Sequence, residues 1–149
     1  MIEEQSHTAH GVTPPPRDVQ QAFFRGLRQT CPNCGTGGLY RAYLKVRDTC
    51  PSCGEELHHH RADDAPPYFT MLITGHIVVG LLLSVETAYK PPLWLHAVIW
   101  PAMIVAMSLW LLPRIKGALV GVQWALRMHG FSGKPDEIEI APEARLPQG

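Results

Sequence analysis

Two stretches without a charged residue dominate the hydropathy pattern of this chain. They cover residues 65–85 and 91–113, and each is about as long as the roughly 20 mostly apolar residues that a membrane-spanning helix needs. The first is weaker because it holds threonine, histidine, serine and glycine, so a buried helix of a soluble protein is its alternative interpretation. Length, lack of charge and close spacing favour an α-helical membrane hairpin of two transmembrane helices. Gly75 and Gly80 are predicted to let these helices approach closely.

The distribution of positive charge predicts the orientation of this hairpin. Seven Lys and Arg residues precede the first stretch and five follow the second, whereas the connecting turn holds only Lys90. Cytoplasmic flanks of membrane helices are enriched in Lys and Arg. We therefore expect the chain to cross a lipid bilayer twice, with both termini in the cytoplasm. Residues 1–18 contain no apolar run, so no secretory signal is predicted there.

The region after the second stretch has the pattern of an amphipathic helix. Its apolar positions recur at helical spacing, and its polar positions fall elsewhere: Ile115, Ala118, Leu119, Val122 and Leu126 against Lys116, Gln123 and Arg127. Because proline breaks helices, Pro113 favours a separate C-terminal amphipathic helix on the membrane surface, with Trp124 in the headgroup layer. The alternative is a simple continuation of the second span.

The remaining segments complete the predicted domain organisation. A disordered tail is expected over residues 1–17, a short amphipathic helix over 18–30, a small head over 31–60, and the hairpin with its interfacial helix over 61–130. Residues 131–149 are polar and rich in proline, which predicts a second disordered tail. Acidic and basic side chains balance at thirteen each, so net charge favours no class of partner.

Four cysteines carry the clearest chemical signal. Cys31 and Cys34 lie in one Cys-Pro-x-Cys-Gly knuckle and Cys50 and Cys53 in another, with a C-x2-C-x15-C-x2-C spacing that is typical of zinc sites. Residues 39–46 are aromatic and aliphatic and predict a strand or hairpin between the knuckles. The pattern therefore predicts a small zinc-ribbon-like β head whose four thiolates leave no open position on the metal, as in structural rather than catalytic zinc sites.

Other chemistries remain open for these cysteines. Two disulfides would form in an oxidising compartment, but the predicted cytoplasmic location favours a metal. Iron in a rubredoxin-like site would use the same ligands, and we favour zinc for this spacing. A redox-active C-x-x-C pair is a third interpretation, but the thioredoxin-type βαβ pattern that it requires is absent from the sequence.

A run of histidines and aspartates connects the head to the first span. His58, His59, His60, Asp63 and Asp64 fall within seven residues, so they could bind a second metal. We favour a polar collar, in which one aspartate caps the first helix and a proline begins it. Adjacent histidines rarely converge on one ion without a ligand from elsewhere.

Three ionisable residues fall within or beside the predicted spans. Glu86 and His96 are expected at nearly the same depth, close enough for a contact across the hairpin, with a structural role or a proton or metal role. His76 lies deeper, where it could meet a haem, a copper ion or a partner helix, or only form a hydrogen bond within the hairpin.

Several short segments of the sequence together resemble a known family. The two cysteine knuckles, the intervening Gly-Leu-Tyr-Arg, the string His-His-Arg-Ala-Asp-Asp-Ala-Pro-x-Tyr-Phe-Thr, a Gly-His pair in the first span and the later Pro-Arg-Ile-Lys-Gly-Ala are similar to the bacterial domain of unknown function 983 family over roughly residues 23–131. The resemblance implies a small protein of the bacterial inner (plasma) membrane without assigned activity. It also implies, by gene association, a role around cytochrome c oxidase biogenesis.

Three functions follow from these patterns. The first is a non-enzymatic membrane accessory or assembly protein whose partner is a membrane protein complex, such as a terminal oxidase or its assembly factors. The second is a membrane-tethered ribbon that binds nucleic acid through Tyr40, Arg41 and Tyr43, which the acidic Glu55 and Glu56 disfavour. The third is copper or iron handling. No small-molecule substrate and no enzyme are predicted, because no nucleophile–base spacing or phosphate loop appears.

Overall fold

The computed structural model describes residues 16–59 and 64–132. Three α-helices and a two-stranded sheet follow one another, and a short 3₁₀ helix ends the described chain: α1 Val19–Leu27, β1 Tyr40–Ala42, β2 Lys45–Val46, α2 Ala65–Tyr89, α3 Leu93–Ala125 and the 3₁₀ helix His129–Ser132. The two strands pair antiparallel. Most of both predicted disordered tails lies outside the described residues.

One residue at the inner end of each predicted tail, Arg17 and Phe131, packs against the rest of the protein instead of being disordered. Arg17 lies over the ring of Trp124, 4.2 Å from its centroid, and Phe131 is buried in a small core with Ala22, Trp124 and Ala125. The Arg17 guanidinium covers the aromatic ring of Trp124, and the Phe131 ring packs with apolar side chains of α3. Packing therefore extends beyond the boundaries that composition suggested.

Residues 28–59 form a small domain that we call the head. The strand or hairpin expected over residues 39–46 is present as β1 and β2, with isolated antiparallel bridges at Thr30–Gly38 and Thr49–Glu56 around it. Its core holds the buried side chains Cys31, Leu39, Val46, Cys50, Leu57 and Val120. Because Val120 belongs to α3, the head completes its core only against that helix.

Pro113 does not end α3, which differs from the prediction of a separate interfacial helix. The helix continues through this residue to Ala125. Proline has no N–H, so the carbonyl of Leu109, four residues earlier, loses its helical partner. The Tyr43 hydroxyl donates a hydrogen bond to that carbonyl at 2.9 Å. The head thus supplies the hydrogen bond that Pro113 removes, and the same helix also continues through Pro101.

The last part of α3, residues 113–125, is the platform on which the rest of the protein packs, and we call it the stalk. Helix α1 crosses it so closely that a Cβ at Gly117 would collide with the carbonyl oxygen of Gly26, and one at Gly121 with that of Ala22. Trp124, expected among lipid headgroups, is 7% exposed. Of the predicted apolar face, Ala118 is buried in this packing, whereas Leu126 is 54% exposed.

Helix α2 packs along α3 through one stripe of residues. Its buried positions recur every four residues: Pro66, Thr70, Thr74 and Val78. Gly75 and Gly80 are not in this stripe, and a Cβ at either would meet nothing within 4 Å. Their predicted role in the approach of the two helices is therefore not seen.

The start of α2 corrects the predicted aspartate cap. Asp64 occupies the N-cap position but makes no side-chain cap hydrogen bond. A cap accepts from the backbone N–H of the second or third helical residue, and these residues are Pro66 and Pro67, which have none. Asp63 lies outside the described residues.

Candidate metal centre

The four predicted cysteine ligands come together in the head. The Sγ atoms of Cys31 and Cys53 are 3.8 Å apart, as are those of Cys34 and Cys50, and all four Sγ atoms lie within 4.8 Å of one another. Zinc–sulfur bonds of about 2.3 Å place two sulfurs of a tetrahedron about 3.8 Å apart. The thiols are free, and their spacing fits a shared metal ion.

The same turn builds each pair of cysteines. The N–H of Gly35 donates to the carbonyl of Cys31 at 2.8 Å, and that of Gly54 to the carbonyl of Cys50 at 3.0 Å. Both glycines have φ of +73°, a conformation that side chains disfavour. The glycine after each second cysteine therefore lets the chain turn so that both thiols face the same point.

Hydrogen-bond donors surround the Cys34 sulfur. The Thr36 hydroxyl donates to it at 3.3 Å and the Gly37 N–H at 3.5 Å. These donors favour the thiolate and lower the pKa of Cys34 to about 5, with the Thr36 hydroxyl the largest cause. Burial acts oppositely on Cys31 and raises its pKa, so a cation at the centre of the cluster would offset the cost of a buried thiolate there.

Arg25 of α1 fixes the first knuckle from outside, and the sequence patterns did not single it out. Its guanidinium donates to the carbonyl of Pro32 at 3.0 Å and also to that of Asn33. The Arg25 side chain also packs closely on Gly35, since its Nε would lie 2.8 Å from a Cβ at that position. A lone arginine in an amphipathic helix gives no sign of this role, because its acceptors are backbone carbonyls.

Polar contacts tie the head to the stalk. The Trp124 indole N–H donates to the Glu55 carboxylate at 2.6 Å, and Arg17 lies 3.5 Å from the same carboxylate. The Tyr40 hydroxyl donates to the carbonyl of Pro113 at 2.6 Å, and the Lys116 ammonium to that of Leu44 at 3.0 Å. The orientation of the four-cysteine site is thus set by α3 as well as by the head.

The histidine run is only partly described. His60 and Asp63 lie outside the described residues, and Asp64 is not part of the group of ligand atoms that His58 and His59 form. His58 and His59 instead group with Glu56, and the three ligand atoms lie within 4.8 Å of one another.

The expected contact between Glu86 and His96 is present at the turn end of the hairpin. His96 Nε2 lies 3.1 Å from the Glu86 carboxylate, without the alignment of a hydrogen bond. The Trp100 indole donates to His96 Nδ1 at 2.7 Å, so the proton of a neutral His96 resides on Nε2. The pair joins α2 to α3.

His76 lies on the exposed face of α2, away from α3. Its Nδ1 is 2.7 Å from the carbonyl of Leu72, and it lines a shallow groove of about 670 Å³ that also contains Gly75 and Gly80. The structure therefore leaves His76 with a hydrogen bond inside the hairpin, one of its predicted alternatives, made to the backbone of its own helix.

Fold and site together define a class of protein: a small four-cysteine head mounted on the end of a long, apolar helical hairpin. Residues 40–124 match the family model described as "Protein of unknown function (DUF983)". The match covers more than half of the 149 residues, so the chain belongs to the DUF983 family. The matched range is narrower than the resemblance suggested and excludes the first cysteine knuckle and α1. Comparisons with curated proteins and with solved structures yield no match.

Proposed function

We propose that this chain is a non-enzymatic integral membrane accessory protein that holds a structural zinc ion in a cytoplasmic head. The length and surroundings of α3 carry this proposal. Its 33 residues extend over about 50 Å at 1.5 Å per residue, against a hydrocarbon core of about 30 Å. The head packs mainly on the last 13 residues and reaches Leu109 only through the Tyr43 hydroxyl, which leaves most of residues 93–112 to cross the bilayer.

The distribution of exposed hydrophobic side chains supports the same assignment of residues to the bilayer. Eighteen of the 24 exposed large hydrophobic side chains in the described residues lie between Tyr68 and Trp110. Such a surface is costly in water and is typical of contact with lipid. A core helix of a soluble protein would be mostly buried, whereas the most apolar windows of α2 and α3 are 17% and 0% buried.

Aromatic and basic side chains mark the two edges of the proposed membrane segment. Trp94 follows the turn, and Trp110 lies next to the stalk with the guanidinium of Arg114 3.9 Å from its ring centroid. Trp, Tyr and Arg favour the interface between lipid and water. With both termini cytoplasmic, the head lies directly below the inner surface, at the level of Arg114.

Zinc is the metal that we propose for the four-cysteine site. Four thiolates at tetrahedral spacing satisfy zinc completely and leave no position for a substrate. Cys31, Cys34, Cys50 and Cys53 would hold it, and so small a head would depend on it for much of its folding free energy. This closed arrangement supports a docking or assembly role over an enzymatic one.

The structure also bears on the nucleic-acid alternative. Tyr40 and Tyr43, the aromatic residues of the candidate binding strand, direct their hydroxyl groups to carbonyls of α3. Aromatic residues that bind single strands leave a ring face free for stacking on bases. Tyr40 is partly buried against the core of the head, which disfavours stacking there, whereas Tyr43 remains 53% exposed.

We propose a membrane protein complex as the partner, with a terminal oxidase or its assembly factors as the first to test. This choice comes from the family resemblance and not from the geometry of the site. The test is purification of the tagged chain from bacterial inner membranes in mild detergent, followed by metal analysis and identification of bound proteins. At least one zinc per chain, retained through purification, with oxidase subunits or assembly factors is the expected result.

Two controls separate the parts of this proposal. Alkaline extraction of the membranes should leave the chain in the pellet, and its release would contradict the membrane spans. A variant with all four cysteines changed to serine should remain in the membrane but lose zinc and the partner. If it kept the partner, the zinc head would not be the docking element.

A further inference from the structure

A second group of metal-ligand atoms lies in the head, apart from the four cysteines. Glu56, His58 and His59 each present one nitrogen or oxygen atom, and these atoms lie within 4.8 Å of one another. Glu56 belongs to the bridge with Thr49, and the two histidines follow in a turn. The carboxylate is the additional ligand that two adjacent histidines need in order to share one ion.

Packing from another part of the chain holds His59 in place. Its ring meets the edge of Phe131 with centroids 5.7 Å apart at 74°, and it lies so close to Gly130 that a Cβ at that position would displace the imidazole. The His59 side chain is 29% exposed. A ligand whose ring is fixed in this way loses little conformational freedom when it binds an ion.

The spacing of two of these ligand atoms fits a coordination sphere. His59 Nε2 and the Glu56 carboxylate lie 3.1 Å apart in a hydrogen bond, and metal–ligand bonds of about 2.1 Å place neighbouring ligand atoms about 3.0–3.4 Å apart. The rings of His58 and His59 have centroids 3.9 Å apart, so the second imidazole is adjacent. A cavity of about 310 Å³ adjoins the group and contains both Glu56 and His59 in its wall.

We propose that Glu56, His58 and His59 bind a divalent first-row transition-metal ion. Two imidazoles and a carboxylate select such ions. Three protein ligands leave at least one position for water or an exogenous ligand, in contrast to the closed thiolate site. The head would then carry two metals of different character: one that holds its fold and one that can exchange.

The experiment is a zinc titration of the full chain in mild detergent, carrying a purification tag without histidine. Equilibrium dialysis with elemental analysis should give two zinc ions per wild-type chain. Glu56→Gln and His58→Gln should each keep the first ion and bind the second at least about tenfold more weakly, since even changes beyond the ligands cost that much. His76→Gln is the matched control, and it should keep both ions with unchanged affinity.

Thiol alkylation on the same samples shows that the first site is intact. The four cysteines should stay protected in both variants, which makes the loss of the second ion local. One zinc per wild-type chain would overturn the proposal. So would a second ion bound equally tightly by wild type, Glu56→Gln and His58→Gln, because the ligands would then lie elsewhere.

Discussion

The two parts of α3 differ both in polarity and in surroundings. Residues 93–112 present large side chains such as Leu93, Trp94 and Ile104 outwards. The stalk, residues 113–125, instead buries Gly117, Ala118, Gly121 and other residues under α1 and the head. Charge separates the two parts in the sequence, because residues 93–112 hold no Lys, Arg, Asp or Glu, whereas the stalk holds Arg114 and Lys116. The size of the side chains then indicates what covers the stalk, since close helix crossings need small residues and lipid contact does not.

The stalk also differs from the span in its hydrogen bonds. Where the head meets α3, Tyr40 and Tyr43 of the head donate to backbone carbonyls of α3, and Lys116 of the stalk donates to a backbone carbonyl of the head. Ser84 and Thr87 of the hairpin instead donate to carbonyls of their own helix. Tertiary polar contacts thus concentrate where the protein packs on itself. This contrast predicts that substitutions at the stalk and head affect stability far more than matched substitutions on the spans.

The largest expected effect is loss of the metal. Cys50→Ser removes a buried thiolate, and structural zinc contributes about 10–16 kcal/mol of apparent binding free energy in zinc-finger peptides. We expect the head to unfold while α2 and the first part of α3 remain helical. Limited proteolysis should cut within residues 28–59, and circular dichroism should lose little helical signal. Ser52→Ala, an exposed change in the same knuckle, is the control and should leave the head resistant.

The next effect tests the close crossing of α1 and the stalk. Gly117→Ala places a methyl group against the Gly26 carbonyl, and overpacking of this kind costs about 1–3 kcal/mol or more. Gly75→Ala is a matched change in α2 where space is open, and alanine is favoured over glycine in helices by up to about 1 kcal/mol. Thermal unfolding in detergent should give a lower midpoint for the first variant and an equal or higher one for the second. Equal midpoints for the two variants would contradict the crossing.

A smaller effect tests how Pro113 is accommodated. Tyr43→Phe leaves the carbonyl of Leu109 without its donor, and an unpaired carbonyl costs about 1–3 kcal/mol when buried and less at an exposed site. Pro113→Ala restores the backbone N–H that pairs with that carbonyl. We therefore expect Tyr43→Phe to cost less in the Pro113→Ala background than in the wild type. A double-mutant cycle measures this difference, and strict additivity would show that the hydroxyl does not compensate for the proline.

Much of this architecture was predictable because its causes are local. Paired cysteines at short spacing point to a shared metal, and residues 65–85 and 91–113 indicate two long helices from composition alone. The contact between Glu86 and His96 followed from counting residues on either side of the turn. Each inference needed only the rise of a helix or the geometry of a turn.

The unpredicted features depend on contacts between distant segments. Pro113 indicates a break unless the donor from Tyr43, 66 residues away, is known. Trp124 alone is typical of a membrane interface, but its indole N–H donates to the Glu55 carboxylate. Arg25 donates only to backbone carbonyls, which the sequence does not identify as partners. A sequence pattern reports what a residue prefers on average, whereas these roles depend on the tertiary partner.

The smallest expected effect concerns the pH at which the head releases its metal. Hydrogen bonds from Thr36 and Gly37 lower the pKa of Cys34 to about 5, so its contribution to metal binding is present above that pH and is lost as the pH falls through it. Thr36→Val removes the largest of these donors and should raise the pKa of the thiol. The release midpoint in an acid titration with a zinc indicator should then move to higher pH, by less than about one unit. Thr87→Val, in the hairpin, is the control and should not move it. A shift to lower pH in Thr36→Val would contradict the assignment of the hydroxyl as a donor to the sulfur.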